Sequence, residues 1–141
     1  MAIEHVYVKL DPDAYMPERA HETDAGADIR TPRSFFVGPR SSAVVHTGVH
    51  VETPPKHVSM LKSKSGLNIK HDIVTEGVID EGFDGEIVVK VYNHGTDGYL
   101  FDRGDKITQL VIMPVVYPGF KQVDEIAGGK RGSNGYGSTG R

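Results

Sequence analysis

Glycine and proline recur along this chain so evenly that the longest run free of both is residues 1–11. Inside a helix a glycine costs about 1 kcal/mol and a proline about 3 kcal/mol relative to alanine. A chain punctuated in this way has no room for a long helix. It does have room for short strands. Runs rich in β-branched and aromatic residues stand at 5–10 (HVYVKL), 34–37 (SFFV), 43–51 (AVVHTGVHV), 57–63 (HVSMLKS), 86–93 (EIVVKVYN), 98–101 (GYLF) and 106–116 (KITQLVIMPVV). Turn-forming stretches such as Pro54-Pro55, Asn93-His94-Gly95 and Asp102-Arg103-Gly104-Asp105 separate them. Many short strands at this spacing predict an all-β sandwich or barrel. The best helical segment is 67–76 (LNIKHDIVTE). From Gly128 onward glycine and small polar residues take over, which sets the tail apart as a functional or disordered piece.

The 141 residues fit one domain with one modest core. A formal net charge of -3 argues against a broad basic face for nucleic acid. With no cysteine there is no disulfide, thiolate nucleophile or zinc–thiolate site. The opening residues MAIEHVYVKLDPD show neither a long apolar run nor a basic leader, so no signal peptide and no membrane span is expected, and a soluble intracellular protein is the default.

Five short motifs carry the candidate chemistry. DAGADI (24–29) places Asp28 between small residues and a β-branched one, which by itself reads as a turn into a strand. SKSGLN (63–68) offers the cation of Lys64, the hydroxyl of Ser65 and the close backbone approach of Gly66, a set suited to phosphate but also common in plain turns. GVIDEGFDGEI (77–87) ends an apolar run at Asp80 and brackets Phe83 with Gly82 and Gly85. It reads either as a hairpin with a general base at its mouth or as a turn plugged by an aromatic. In RGDKITQL (103–110), Gln109 is a polar side chain inside an apolar strand and must face solvent or find a partner. In RGSNGYGSTG (131–140), Arg131 can pair with a terminal phosphate and Tyr136 can stack on a base. The neighbouring GGKRG lacks the spacing of a P-loop.

Each motif is weak alone, but their order over residues 25–140 resembles that of the trimeric dUTPase family, the deoxyuridine triphosphate nucleotidohydrolases. The resemblance covers nearly the whole chain. It implies an all-β, jelly-roll-like β-clip subunit and a homotrimer. Residues 128–141 would form a mobile arm closing a neighbouring subunit's active site. The implied reaction is Mg2+-dependent hydrolysis of dUTP to dUMP and pyrophosphate, which keeps uracil out of DNA and supplies dUMP for thymidylate synthesis. Asp80 matches the acid that activates the attacking water, and Asp28 the acid that meets the hydrated metal through water. Lys64, Ser65, Gly66 and Gln109 match phosphate-contacting positions, and Arg131, Gly137 and Ser138 the arm's grip on the terminal phosphate. The backbone around Val78, Ile79 and Val88 would read uracil, Phe83 would stack beneath the deoxyribose and exclude a 2′-hydroxyl, and Tyr136 would close over the base. No nucleic-acid or membrane partner is implied. The location is cytoplasmic, or the host cell's cytosol for a viral or phage source.

The sequence departs from the family's pattern at Lys64, usually arginine, at Phe83, usually tyrosine, at Tyr136, usually phenylalanine, and at Asn134, usually glycine. Lysine keeps the charge but loses the two-pronged geometry. The hairpin also resembles that of the dCTP deaminases, but their glutamate in the following strand is Lys90 here. A regulatory, protein-binding member of the family is the other alternative.

Overall fold

In β8 (Val88–Asn93), Val89, Val91 and Asn93 are buried while Val88, Lys90 and Tyr92 face outward. This period of two is the strand signature, and it recurs around the molecule. The computed structural model describes residues 2–137, 139 and 140. Its other strands are β1 (Val8–Leu10), β2 (Gly26–Arg30), β3 (Phe35–Val37), β4 (Ser41–His46), β5 (Val49–Val51), β6 (His57–Lys62), β7 (Ile73–Ile79), β9 (Tyr99–Phe101) and β10 (Lys106–Pro114). One short helix, α1 (Ser65–His71), lies between β6 and β7. Six strands join in the order β2-β10-β6-β7-β8-β4, and β1-β5 and β3-β9 form two-stranded sheets. Every recorded strand pair is antiparallel. This is the all-β, jelly-roll-like architecture expected.

The inward faces meet in an aliphatic core of Ile29, Val45, Val49, Leu61, Ile73, Val89, Val91, Ile107 and Leu110, with Phe101 stacked on Phe35 at 4.7 Å. Buried hydroxyls pair with each other: Thr75 with Thr108 at 2.7 Å, and Thr53 with Ser59 at 2.7 Å. Among the described residues no buried side-chain polar atom lacks a partner, as a well-formed interior requires.

Four local expectations need correction. The helix is not 67–76: it runs from Ser65 to His71, and Asp72 ends it in the left-handed conformation (φ 56°). Ile73, Thr75 and Ile79 then alternate inward as a strand, because only an extended chain buries all three. The run 43–51 is two strands, divided at Gly48 (φ 70°), so that β4 pairs with β8 while β5 turns away to pair with β1. The first strand covers only Val8–Leu10 of the expected 5–10. β2, missing from the expected strands, pairs with β10, and four of its five residues are buried.

Candidate active site

The register of β2 against β10 sets Asp28 directly across from Gln109. That register shifts between Lys106 and Thr108. Without the shift, Lys106 would share the buried face of Thr108. The bulge turns it to the face of Asp28 instead, a common way for a bulge to re-aim a side chain. The Asp28 carboxylate, 6 % exposed, accepts a hydrogen bond from Lys64 Nζ and lies 3.2 Å from Lys106 Nζ. Burial pushes its carboxyl up, but the hydrogen bonds and charges of Lys64 and Lys106 outweigh this and hold it below the usual carboxylate range.

Gln109 does have a partner: its Nε2 donates to the Ser63 carbonyl at 2.9 Å. Its Oε1 crosses Gly26, where an added Cβ would lie only 2.0 Å away, so a side chain there would push the Gln109 amide out of its present place. The Ser63 hydroxyl donates to the Thr75 carbonyl and accepts from the Thr75 amide, both at 3.0 Å. Thr108 Oγ1 lies 3.0 Å from the Lys62 carbonyl and 2.7 Å from Thr75 Oγ1, fastening β10, β6 and β7 together under the cluster. Ser65 and Gly66 open α1, both exposed, and a Cβ on Gly66 would meet nothing within 4 Å. Gly26, Asp28, Ser63, Lys64 and Gln109 line an open cleft of about 740 Å³. His21, Asp24, Lys62, Asn68 and Glu76 complete its walls. Neither they nor Lys106 were expected from the sequence, although the lysine within RGDK was a legible cation.

A second group forms at the other end of β7. The β7–β8 ladder pairs Ile73 with Asn93, Val74 with Tyr92 and Thr75 with Val91, and there it stops. Continued in the same register, Val78 would face Val88. Instead the two strands part, while β7 stays paired to β6 through Ile79 and β8 to β4 through Val88. Main-chain groups of both strands thus look into a slot with no strand between them. Ile79 is buried in the core beside the slot, and the Val78 and Val88 side chains are exposed. Asp80 follows β7 at the mouth, exposed, its carbonyl accepting from the Phe83 amide at 3.3 Å. Phe83, half exposed, lays its ring on Gly85, where a Cβ would lie 2.4 Å from the ring. Gly82 carries φ 89°, a turn that side chains resist.

Polar fasteners hold this loop. Glu81 accepts from the Lys56 amide at 2.9 Å and from the Tyr117 hydroxyl; the tyrosine first and the amide second lower its carboxyl below the ordinary value. His50 contacts the Asp84 carbonyl at 2.8 Å. Glu86 takes His46 Nδ1 at 2.7 Å and the Gly48 amide at 3.0 Å. The Ile87 amide donates to Val49 at 2.8 Å. Phe83 and Asp84 border a cleft of about 710 Å³ whose walls share no residue with those of the Asp28 cleft.

The structure therefore brings Asp28, Lys64, Ser65, Gly66 and Gln109 together, and separately Val78, Ile79, Asp80, Phe83 and Val88. Among the described residues, the arm makes no hydrogen bond to either group. Arg131, Tyr136 and Gly137 are exposed, and the Arg131 guanidinium donates to the Gly135 carbonyl at 2.7 Å. Ser138 lies outside the described residues. Among the described residues no three His, Asp or Glu side chains converge to hold a metal. Lys90 lies on the exposed face of β8, its ammonium 5.4 Å from the Tyr92 ring centre. No helix among the described residues is long and apolar enough to cross a membrane.

Comparison with known proteins identifies the family. The family model described as dUTPase matches residues 13–140. A deoxyuridine 5'-triphosphate nucleotidohydrolase of Gloeothece citriformis is 39% identical over 135 residues, covering 94% of this chain and 93% of that protein. One from Clostridium acetobutylicum is 38% identical over the same span. Among solved structures, the dUTPase of Staphylococcus bacteriophage 80alpha with dUPNHPP superposes with a TM-score of 0.91 at 32% identity, covering 99% of this chain and 100% of that one. A dUTPase from phage phi11 of S. aureus, described with a structural Mg(II) ion, matches with a TM-score of 0.78 at 32% identity, covering 86% and 97%. The chain belongs to the dUTPase family.

Proposed function

We propose that this chain is a dUTP diphosphatase, hydrolysing dUTP to dUMP and pyrophosphate. This removes a uracil nucleotide from the precursors of DNA and supplies dUMP for thymidylate synthesis. The observation that carries the reading is the slot where β7 and β8 part, with Asp80 at its mouth and Phe83 beside it. Main-chain donors and acceptors around Val78, Ile79 and Val88 match the edge of uracil. Cytosine reverses part of that pattern and would leave buried groups unpaired, which such a site rejects strongly. The Phe83 ring stacks under the deoxyribose and leaves no room for a 2′-hydroxyl.

Asp80 orients a water and takes its proton as the oxygen attacks the α-phosphorus. The bond from that phosphorus to the bridging oxygen breaks, and pyrophosphate leaves. A carboxylate is a weak base, so most of the gain comes from alignment and from charge stabilisation on the phosphates. Lys64, Ser65, Gly66 and Gln109 hold the phosphate chain. Lys106 adds a second ammonium beside Lys64.

Mg2+ brought in with the nucleotide would supply further neutralisation of the phosphate charge. The absence of a carboxylate cage among the described residues suits a metal that arrives with its nucleotide. Asp28 is its candidate protein partner, through water. Both Asp28 oxygens already hold lysines, so the carboxylate also fixes those ammonium groups.

From Glu76 at the phosphate cleft to Asp80 is four residues along β7, and from Glu76 to Gln109 is two strand spacings, so Asp80 and Gln109 stand roughly 16 Å apart in one chain. A homotrimer that pairs one chain's slot with a neighbour's phosphate cleft, as the family resemblance implies, would set both halves against one nucleotide. The arm of Arg131, Tyr136, Gly137 and Ser138 then closes over the nucleotide as a lid. The direct test supplies dUTP, dCTP, dTTP and UTP separately with Mg2+. Pyrophosphate and dUMP from dUTP alone are expected. Ammonia from dCTP, or no reaction with any of the four, overturns the reading.

A further inference from the structure

His50 on β5 joins two segments far apart in the sequence. Its Nδ1 lies 2.8 Å from the Asp84 carbonyl oxygen, and its Nε2 lies 3.1 Å from each carboxylate oxygen of Asp11, just beyond β1. A carbonyl and an ionised carboxylate can only accept. A neutral imidazole donates from one nitrogen and turns a lone pair outward from the other. It satisfies one of these contacts and opposes the other, whereas the imidazolium satisfies both. The side chain is 18 % exposed, so water does not freely replace a lost partner.

Glu81 and Glu86 fasten the two ends of the loop, and between them His50 is the contact at Asp84. Gly82 and Gly85 loosen the backbone on either side of Phe83, and the Phe83 ring is half exposed. Asp80, by contrast, follows directly on Ile79, which is locked into the ladder opposite Ser59 and packed in the core. We propose that His50, as an imidazolium, is a positioning residue for the 80–87 loop: it ties Asp84 to Asp11 and so keeps Phe83 in place for the sugar. Loss of its proton therefore weakens nucleotide binding while leaving turnover at Asp80 largely intact. The inference rests on the dUTP-hydrolysing reading of this loop.

The charged surroundings agree with the geometry. The hydrogen bond to Asp84 and then that to Asp11 raise the pKa of His50, burial and Lys9 lower it, and the net is above the usual histidine value. Glu52, Glu81 and Asp84 are the remaining acids of the same cleft. The sign follows: a raised value in the folded protein means the fastening is complete in mild acid and is lost as pH rises through that raised value.

The test combines an NMR titration of the histidine ring with KM and kcat for dUTP between about pH 6 and about pH 9, a window moved up from histidine's ordinary range of about pH 5 to 8 to follow the raised value. It uses the full chain, His50→Gln and Asp11→Asn. Both ring nitrogens of His50 should carry protons in neutral solution, with a midpoint above the ordinary value of about 6.5. KM should rise about 3- to 10-fold across that midpoint, the worth of one net hydrogen bond, with kcat unaffected by it. His50→Gln, which cannot donate to both acceptors, should have a raised KM without that rise. Asp11→Asn, which keeps the Asp84 contact, should move the midpoint down, and it serves alone if His50→Gln does not fold. A His50 midpoint at or below about 6.5 overturns the proposal, as does a pH-dependent rise of KM that survives in His50→Gln. Should the wild type leave dUTP untouched, the functional reading fails, and the ring titration still decides the fastening.

Discussion

The two halves of the candidate site are held by ionic contacts of opposite sign. On the phosphate side one carboxylate, Asp28, is shared by two ammonium groups over a floor of paired hydroxyls and a locked glutamine. On the nucleoside side one imidazole, His50, stands between two acceptors and steadies a glycine-bounded loop. The first is part of the six-stranded sheet and inherits its stiffness. The second hangs beyond the end of a strand pair that has already opened. Phosphate is recognised by fixed charge and needs a preset cradle. The nucleoside is recognised by shape and by main-chain groups, and it needs a loop that can be set in place.

The largest expected effect separates binding from chemistry within the loop. Asp80→Asn should lower kcat by about 10²- to 10⁴-fold, the usual worth of a positioned base. Affinity for a non-hydrolysable dUTP analogue, read by calorimetry, should change little. Unchanged turnover would remove Asp80 from the chemistry. Next comes the arm. Removing residues 131–141 should lower kcat/KM on the order of 10²-fold through lost closure and alignment. The melting temperature should stay put, because the described arm residues are exposed and their recorded hydrogen bonds are local.

Two stability predictions sharpen the contrast from the rigid side. Asp28→Asn strands two lysines. Breaking a buried pair is strongly destabilising, but these ammonium groups are partly exposed, so a loss of about 1–3 kcal/mol by denaturant unfolding is expected. The difference should hold at neutral pH and fade in acid. A carboxyl lowered by folding contributes fully above its unfolded value of about 3.9, and the contribution is lost as pH falls through the folded value. Thr108→Val keeps the volume but leaves the Thr75 hydroxyl and the Lys62 carbonyl each short of a partner, at about 1–3 kcal/mol. Equal stability of wild type and both variants would mean the floor does not hold the cradle.

The strand content was legible because alternation is local: Val89, Val91 and Asn93 announce their inward face within one short run. The motif residues were legible as a set because their order matches a family. The missing elements share a physical reason. The 67–76 segment looks helical by composition, but Ile73, Thr75 and Ile79 are claimed by a sheet whose other strands lie far away in sequence. β2 is small and polar at its centre, and only pairing with β10 makes it a strand. His50 gives no local signal, since Asp84 is 34 residues away and Asp11 39. The aim of Lys106 depends on a bulge, which no residue type in RGDK announces.

The proposal that slot and cradle come from different chains has one direct test. Asp80→Asn and Gln109→Glu are purified, unfolded together and refolded as mixed oligomers. Each variant alone should be nearly inactive on dUTP. If neighbouring subunits of a symmetric ring share each site, random mixtures restore about a quarter of wild-type turnover, from sites with both intact halves. No recovery in mixtures that demonstrably exchange subunits would mean that one chain supplies both halves.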